Sequence, residues 1–159
     1  MTFNYNPPVS KLLTIPEYEG SYQYHTWPNY VALYDLTDED VPELIRMAYD
    51  LDTFWNIPDE DDPATFAPLH AVRALGQLRH PSAIEPLLKL IVINDDEWGG
   101  SDYMAEAIPQ AVGLLGAAAL EPIRAFLADD ENLVWPRVFI DSALEVIAEE
   151  DPTQRKTCA

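Results

Sequence analysis

The sequence has 159 residues, with 28 Asp or Glu, 9 Lys or Arg and a formal net charge of −19. Because this charge repels phosphates, it argues against a nucleic-acid-binding protein and against docking on anionic lipid, so we expect neither nucleic acid nor a membrane as a partner. The single cysteine, Cys158, rules out an intrachain disulfide, and we find no signal-peptide pattern and no long uncharged apolar span, which favours a cytoplasmic location.

The first part of the chain, residues 1–36, combines prolines with aromatic residues and shows no helical periodicity. Proline fixes φ and removes a backbone donor, while aromatic side chains bring a large apolar area. We therefore expect an extended N-terminal strap that packs over a helical body. An aromatic recognition surface is the alternative interpretation of the same residues.

A helix is predicted over residues 37–50. Thr37 is a capping residue, and the acidic residues that follow it lie where a helix N-terminus favours negative charge. From Val41 onward, apolar residues recur at i, i+3, i+4 and i+7, which gives the helix one apolar face. The prolines and the acidic run of residues 51–63 then indicate a loop.

Two later parts of the chain are similar to each other. The stretch AIEPLLKLI begins at Ala83, and ALEPIRAFL begins at Ala119, 36 residues further on. Each is preceded by a second similar stretch, HAVRALGQL and AIPQAVGLL, and this alignment places Gly76 opposite Gly113. A partial third copy, DSALEVIAEEDP, begins at Asp141.

Each copy consists of two apolar-periodic stretches separated by a short turn, which predicts a pair of antiparallel helices. Small residues at aligned positions let neighbouring helices approach closely, while leucines fill the layer between them. These small residues are Ala74 and Gly76 in the first copy, Ala111 and Gly113 in the second, and Ala143 in the third. One hairpin alone leaves its apolar face exposed, whereas stacked hairpins bury it.

The stretch LHAVRALGQLRHPSAIEPLLKLI resembles a HEAT-like repeat of the short kind found in phycobilisome-lyase-type proteins. The resemblance implies an all-α protein, a right-handed α-solenoid of stacked hairpins whose second helices line a concave, partner-binding side, usually without catalysis. We expect the strap over residues 1–36 and a HEAT-like repeat domain over 37–159, with units at about 37–62, 64–93, 102–128 and 132–152.

The last unit contains one predicted helix, followed after Pro152 by a short remainder. A solenoid needs a polar cap at each end, because an unpaired apolar face would associate or be unstable. We expect either that these residues pack as an atypical cap or that the sequence is the N-terminal part of a longer protein, and we favour the longer protein.

Catalytic motifs are missing from the sequence, which contains no G-x-S-x-G, H-E-x-x-H, P-loop or G-x-G-x-x-G pattern. The 3 histidines are scattered, so we expect no metal site built on them and no cofactor. The segment from Asp95 to Glu106 places some oxygen ligands as an EF-hand calcium loop does, but Gly99 lies where a ligand is needed. We expect this segment to link two units.

These observations predict a non-enzymatic protein-protein interaction scaffold that binds another protein along its concave helical face. Aromatic and arginine side chains supply much of the binding energy at protein interfaces. The candidate partner-binding residues are Trp98, Tyr103, Arg124, Trp135 and Arg137.

The net charge also supports an alternative function. An acidic inhibitor or immunity-type protein would present carboxylates to a basic nucleic-acid-binding site on its target. Salt would weaken such an association steeply, whereas apolar contacts in a groove are much less sensitive to salt. A chromophore lyase activity rests on analogy of fold alone.

Overall fold

The computed structural model describes residues 3–16, 22–59, 62–97 and 102–159. Within these ranges the chain forms α-helices and 3₁₀-helices and no β-strand, which confirms the predicted all-α class. The α-helices are α1 (Tyr30–Tyr34), α2 (Val41–Tyr49), α3 (Leu51–Trp55), α4 (Ala67–Leu78), α5 (Ile84–Glu97), α6 (Asp102–Leu114), α7 (Leu120–Ala128), α8 (Val134–Glu150) and α9 (Arg155–Cys158). Several begin directly after a 3₁₀-helix, as α2 does after Asp38–Asp40 and α5 after Pro81–Ala83.

Local sequence explains where α2 begins. The backbone N–H of Thr37 donates to Asp40 Oδ2 over 2.8 Å, so the predicted capping residue is held by the acidic turn that follows it. Pro42 lies in the first turn, where its missing N–H removes no helical hydrogen bond. The apolar face of the helix is buried, with Leu44 and Met47 fully inside the core.

The helices form two layers. We call α4, α6 and α8 the first helices, since each opens one of the predicted repeat units, and α5, α7 and α9 the second helices. The first helices pack side by side in chain order, with α2 against the outer side of α4. In the second layer α5 packs on α6, and α7 packs on α8. The hydrophobic core therefore runs continuously between successive units.

Glycine sets the closest approach between the first helices. A Cβ atom on Gly76 of α4 would lie 2.7 Å from Ala111 Cα of α6, and one on Gly113 of α6 would lie 2.5 Å from Val146 Cβ of α8. Real Cβ atoms essentially never come this close to a backbone atom or a branched Cβ. The aligned glycines therefore make the same close contact at successive interfaces.

The N-terminal segment, residues 3–16 and 22–36, packs on α2 and on the first helices. It contains 3₁₀-helices at Val9–Thr14 and Tyr24–Thr26 as well as α1, so the extended strap expected from the prolines is interrupted by short helical turns. Val9 and Leu12, three residues apart, are buried on one side of the first of these turns. A turn this short has no long apolar period, which is why the sequence pattern did not indicate it.

The C-terminal residues form the short helix α9, which packs on α8. The guanidinium of Arg124 on α7 donates from Nη2 to the carbonyl oxygen of Thr157 over 2.7 Å. A second helix, although only one turn long, therefore follows α8. In the described part of the chain no single helix has the length and apolarity needed to cross a membrane.

The glycine contact leads to a stability prediction. Gly113→Ala should lower the free energy of unfolding by about 1–2 kcal/mol, because overpacking against Val146 outweighs the gain in helix propensity of about 1 kcal/mol. Urea denaturation followed by circular dichroism measures this change. Ser142→Ala on the exposed side of α8 is the control and should change the free energy by less than about 0.5 kcal/mol. A stabilised Gly113→Ala variant would show that α6 and α8 are not in close contact.

Candidate partner-binding surfaces

The second helices form a groove between α5 and α7 with a volume of about 550 Å³. Its apolar wall consists of Leu88 and Val92 on α5 and Phe126 on α7, and the first of these is almost fully buried. Lys89 and Asp129, which are exposed and carry opposite charges, also line it. This second-helix groove therefore combines apolar and charged side chains, as protein-binding surfaces do.

Two predicted partner-binding residues lie near this layer but are engaged within the chain. Arg124 bonds Glu121 Oε1 over 2.5 Å besides the Thr157 carbonyl, so its guanidinium links α7 to α9. Arg137 on α8 lies 3.6 Å from Asp130 and lines a separate cavity beside Leu127. Neither arginine lines the second-helix groove.

Two other predicted residues occupy equivalent repeat positions. Tyr103 precedes Ala111 on α6 by the same number of residues as Trp135 precedes Ala143 on α8. Tyr103 stacks on Tyr22 of the N-terminal segment, with ring centroids 6.2 Å apart. Trp135 instead remains 61% exposed. Both lie on first helices, Tyr103 on α6 and Trp135 on α8, whereas the second-helix groove lies between α5 and α7.

The remaining predictions fall where the structure describes little. Trp98 lies outside the described residues, together with residues 99–101 of the Asp95 to Glu106 segment. Within the described ranges, His, Cys, Asp and Glu side chains do not gather into a metal-binding group of three or more.

An exposed apolar surface that the sequence did not indicate as a whole lies at the start of α8. It consists of Trp135, Val138 and Phe139, and we call it the α8 surface. Val138 is 53% exposed and Phe139 is 36% exposed, and the Trp135 and Phe139 rings stack with centroids 6.2 Å apart. The alignment of Ala143 with Ala111 could have indicated this surface, because it places the large Phe139 opposite the small, buried Ala107.

A cavity of about 300 Å³ lies between the α8 surface and α6, next to the N-terminal segment. Val138 and Phe139 line it together with the carboxylates Glu106, Glu145 and Glu149. Its lining within the described chain contains no Lys, Arg or His side chain. This cavity therefore combines apolar contact area with negative charge.

Tyr24 of the N-terminal segment also lines the cavity. Its hydroxyl donates to Glu149 Oε2 over 3.1 Å. Burial, followed by the hydrogen bond to Glu149 and the charge of Glu150, raises the pKa of Tyr24 to about 12. The hydroxyl therefore remains a hydrogen-bond donor at neutral pH, and it joins the N-terminal segment to α8.

Two glutamine amides hold the N-terminal segment against the first helices. Gln110 on α6 accepts from the Tyr24 backbone N–H over 2.6 Å and donates to the Tyr22 carbonyl over 2.8 Å. Gln77 on α4 accepts from the Tyr30 N–H and donates to the Pro28 carbonyl, each over 2.9 Å. Each amide satisfies a backbone donor and a backbone acceptor that a short connecting segment cannot pair by itself.

His70 on α4 is fully buried beneath the same segment. Its Nε2 lies 3.0 Å from the Ile15 carbonyl, which can only accept, so Nε2 carries the proton and Nδ1 accepts from the Tyr30 hydroxyl over 2.8 Å. Burial lowers the pKa of His70 to about 4, with a smaller contribution from the charge of Arg73. The imidazole is therefore a neutral structural group that ties two parts of the N-terminal segment to α4.

Comparison with protein families identifies one repeat. Residues 68–92 match the model of the PBS lyase HEAT-like repeat, and they span α4, the turn at Pro81–Ala83 and most of α5. The prediction of a HEAT-like repeat in this part of the chain is therefore confirmed. Comparisons with curated proteins and with solved structures give no match.

The burial of His70 predicts a pH dependence of stability. Because its folded pKa of about 4 is below the usual value of 6.5, the unfolded chain takes up the proton more readily. Stability should therefore fall as the pH drops from about 6.5 to about 4, and this one group contributes about 3 kcal/mol to the loss. Urea denaturation at a series of pH values should show a smaller loss for His70→Gln than for the wild type.

The matched control is His25→Gln, which changes an exposed histidine in the N-terminal segment. Its stability should follow the wild-type pH curve. Equal losses for the wild type and His70→Gln over this pH range would contradict a buried, neutral His70.

Proposed function

We propose that this protein is a non-catalytic protein-protein interaction scaffold that binds a partner polypeptide along the second-helix groove. In this proposal the hairpins form a right-handed solenoid, and α5 and α7 line its concave side. The observation that carries the proposal is the open groove of about 550 Å³ between these two helices, which both apolar and charged side chains line.

The position of the N-terminal segment supports the second-helix groove as the binding site. The segment is held to the first helices through Gln77 and Gln110, on the other layer of the molecule. HEAT-like repeats commonly mediate protein-protein interaction, which agrees with a binding role for the face that this segment leaves open. The volume is large enough for several side chains of a bound peptide.

Blocking the groove tests this function. Ala125 on α7 lines the groove and is exposed, so Ala125→Arg would place a long cationic side chain in it without disturbing the core. Peptides selected from a random library against the wild-type protein should bind Ala125→Arg about 10-fold more weakly or worse, because the arginine occupies their place. Fluorescence anisotropy with the selected peptides measures the dissociation constants.

Ala118→Arg introduces the same side chain at an exposed position that is not part of the groove lining, and it should bind the peptides as the wild type does. If the library yields no binders, or if the selected peptides bind Ala125→Arg with unchanged affinity, the second-helix groove is not the binding site.

A further inference from the structure

Among the residues that the structure describes, the α8 surface is the exposed continuation of a face that the N-terminal segment covers on α4 and α6. On α4 this face carries His70, which the N-terminal segment buries. On α6 it carries Gln110, which binds the backbone of Tyr22 and Tyr24. On α8 the position aligned with His70 is Phe139, and its side chain is partly exposed beside the exposed Trp135. Gln23 and Tyr24 of the segment border the cavity beside α8, but Trp135, Val138 and Phe139 remain exposed.

The chemistry around this uncovered helix is acidic. Glu145 and Glu149 follow Phe139 along α8, and Glu106 faces them from α6 across the cavity of about 300 Å³. Arg137 on α8 lies beside Asp130 and lines a different cavity. Arg155 on α9 lines another cavity together with Glu145 and Glu149, but it is not part of the lining of this one. An occupant of this site would gain from burying apolar groups on Trp135 and Phe139 and from placing positive charge beside these carboxylates.

We propose that the α8 surface and the adjoining cavity bind a cationic segment of another protein, one that alternates lysine or arginine with large apolar side chains. Its apolar side chains cover Trp135, Val138 and Phe139, and its cations lie against Glu106, Glu145 and Glu149. The bound segment continues the path that the N-terminal segment follows over α4 and α6.

The negative charge of this surface favours a cationic segment of another protein over a second copy of the chain. Two copies that meet through this surface would bring the same carboxylates together, and each copy carries a net charge of −19. A basic nucleic-acid-binding target, as in the alternative drawn from the sequence, would present a segment of the required kind. The proposal concerns a surface separate from the second-helix groove and stands independently of it.

The experiment uses a fluorescein-labelled synthetic peptide that alternates lysine with tryptophan and leucine, titrated with the full chain. Binding should be saturable and should weaken when NaCl is raised from about 0.05 M to about 0.3 M, because screening reduces the charge attraction. A peptide with glutamate in place of lysine should not bind. A peptide with glycine in place of tryptophan and leucine should bind about 10-fold more weakly or worse.

Matched variants locate the site. Trp135→Ser should weaken binding about 10-fold, whereas Leu33→Ser, which changes an equally exposed apolar residue on α1, should not. Glu145→Lys should weaken binding about 5-fold or more. Glu39→Lys, with the same change in net charge at an exposed site before α2, should have a much smaller effect. Circular dichroism checks that each variant is folded.

If Glu145→Lys and Glu39→Lys lose affinity equally, the peptide is attracted by the overall charge of the protein, which would overturn the proposal. So would unchanged binding by Trp135→Ser. Sedimentation analysis of the protein alone tests whether a second copy of the chain binds this surface. Dimers that Trp135→Ser converts to monomers would make this face an interface between copies. Ala125→Arg should bind the peptide normally, which separates this test from that of the second-helix groove.

Discussion

The close contact between successive first helices is the constraint on which the rest of the structure depends. Gly76 lies against Ala111, and Gly113 lies against Ala143 and Val146, with no room for a Cβ atom at either glycine. Because these contacts are so short, the apolar side chains on either side of each helix are brought into one continuous core. The second helices are then set at a separation that leaves a groove between α5 and α7.

The same stacking determines what the N-terminal segment can cover. The N-terminal segment forms only short helical turns. Some of its backbone N–H and C=O groups therefore pair with polar side chains of the first helices. Gln77 and Gln110 supply amides, and His70 supplies a neutral imidazole. These contacts lie on α4 and α6. The corresponding face of α8 carries the exposed Trp135 and the partly exposed Phe139 beside a cavity lined by carboxylates, and the proposed binding of a segment from another molecule rests on this arrangement.

The repeated features could be predicted from the sequence and the unique ones could not. The alignment of Gly76 with Gly113 predicts the close approach of the helices, because a small residue that recurs at the same repeat position within a helix indicates that a neighbouring helix packs closely there. Gln77 and Gln110 occupy different positions in the repeat, so no pattern indicated that they hold one segment. Residue type predicts partner binding by Arg124, but it gives no sign that this guanidinium bonds a carbonyl of α9, because that contact depends on where the chain turns after α8.

The most direct test of this account is a nuclear Overhauser measurement between the first helices in solution. Strong cross-peaks are expected between the Gly113 Hα protons and the Val146 methyl groups, and between the Gly76 Hα protons and the Ala111 methyl group, because each pair lies in direct contact. If both sets of cross-peaks are missing from a fully assigned spectrum, the first helices do not stack in this register. The second-helix groove and the α8 surface would then not exist as described.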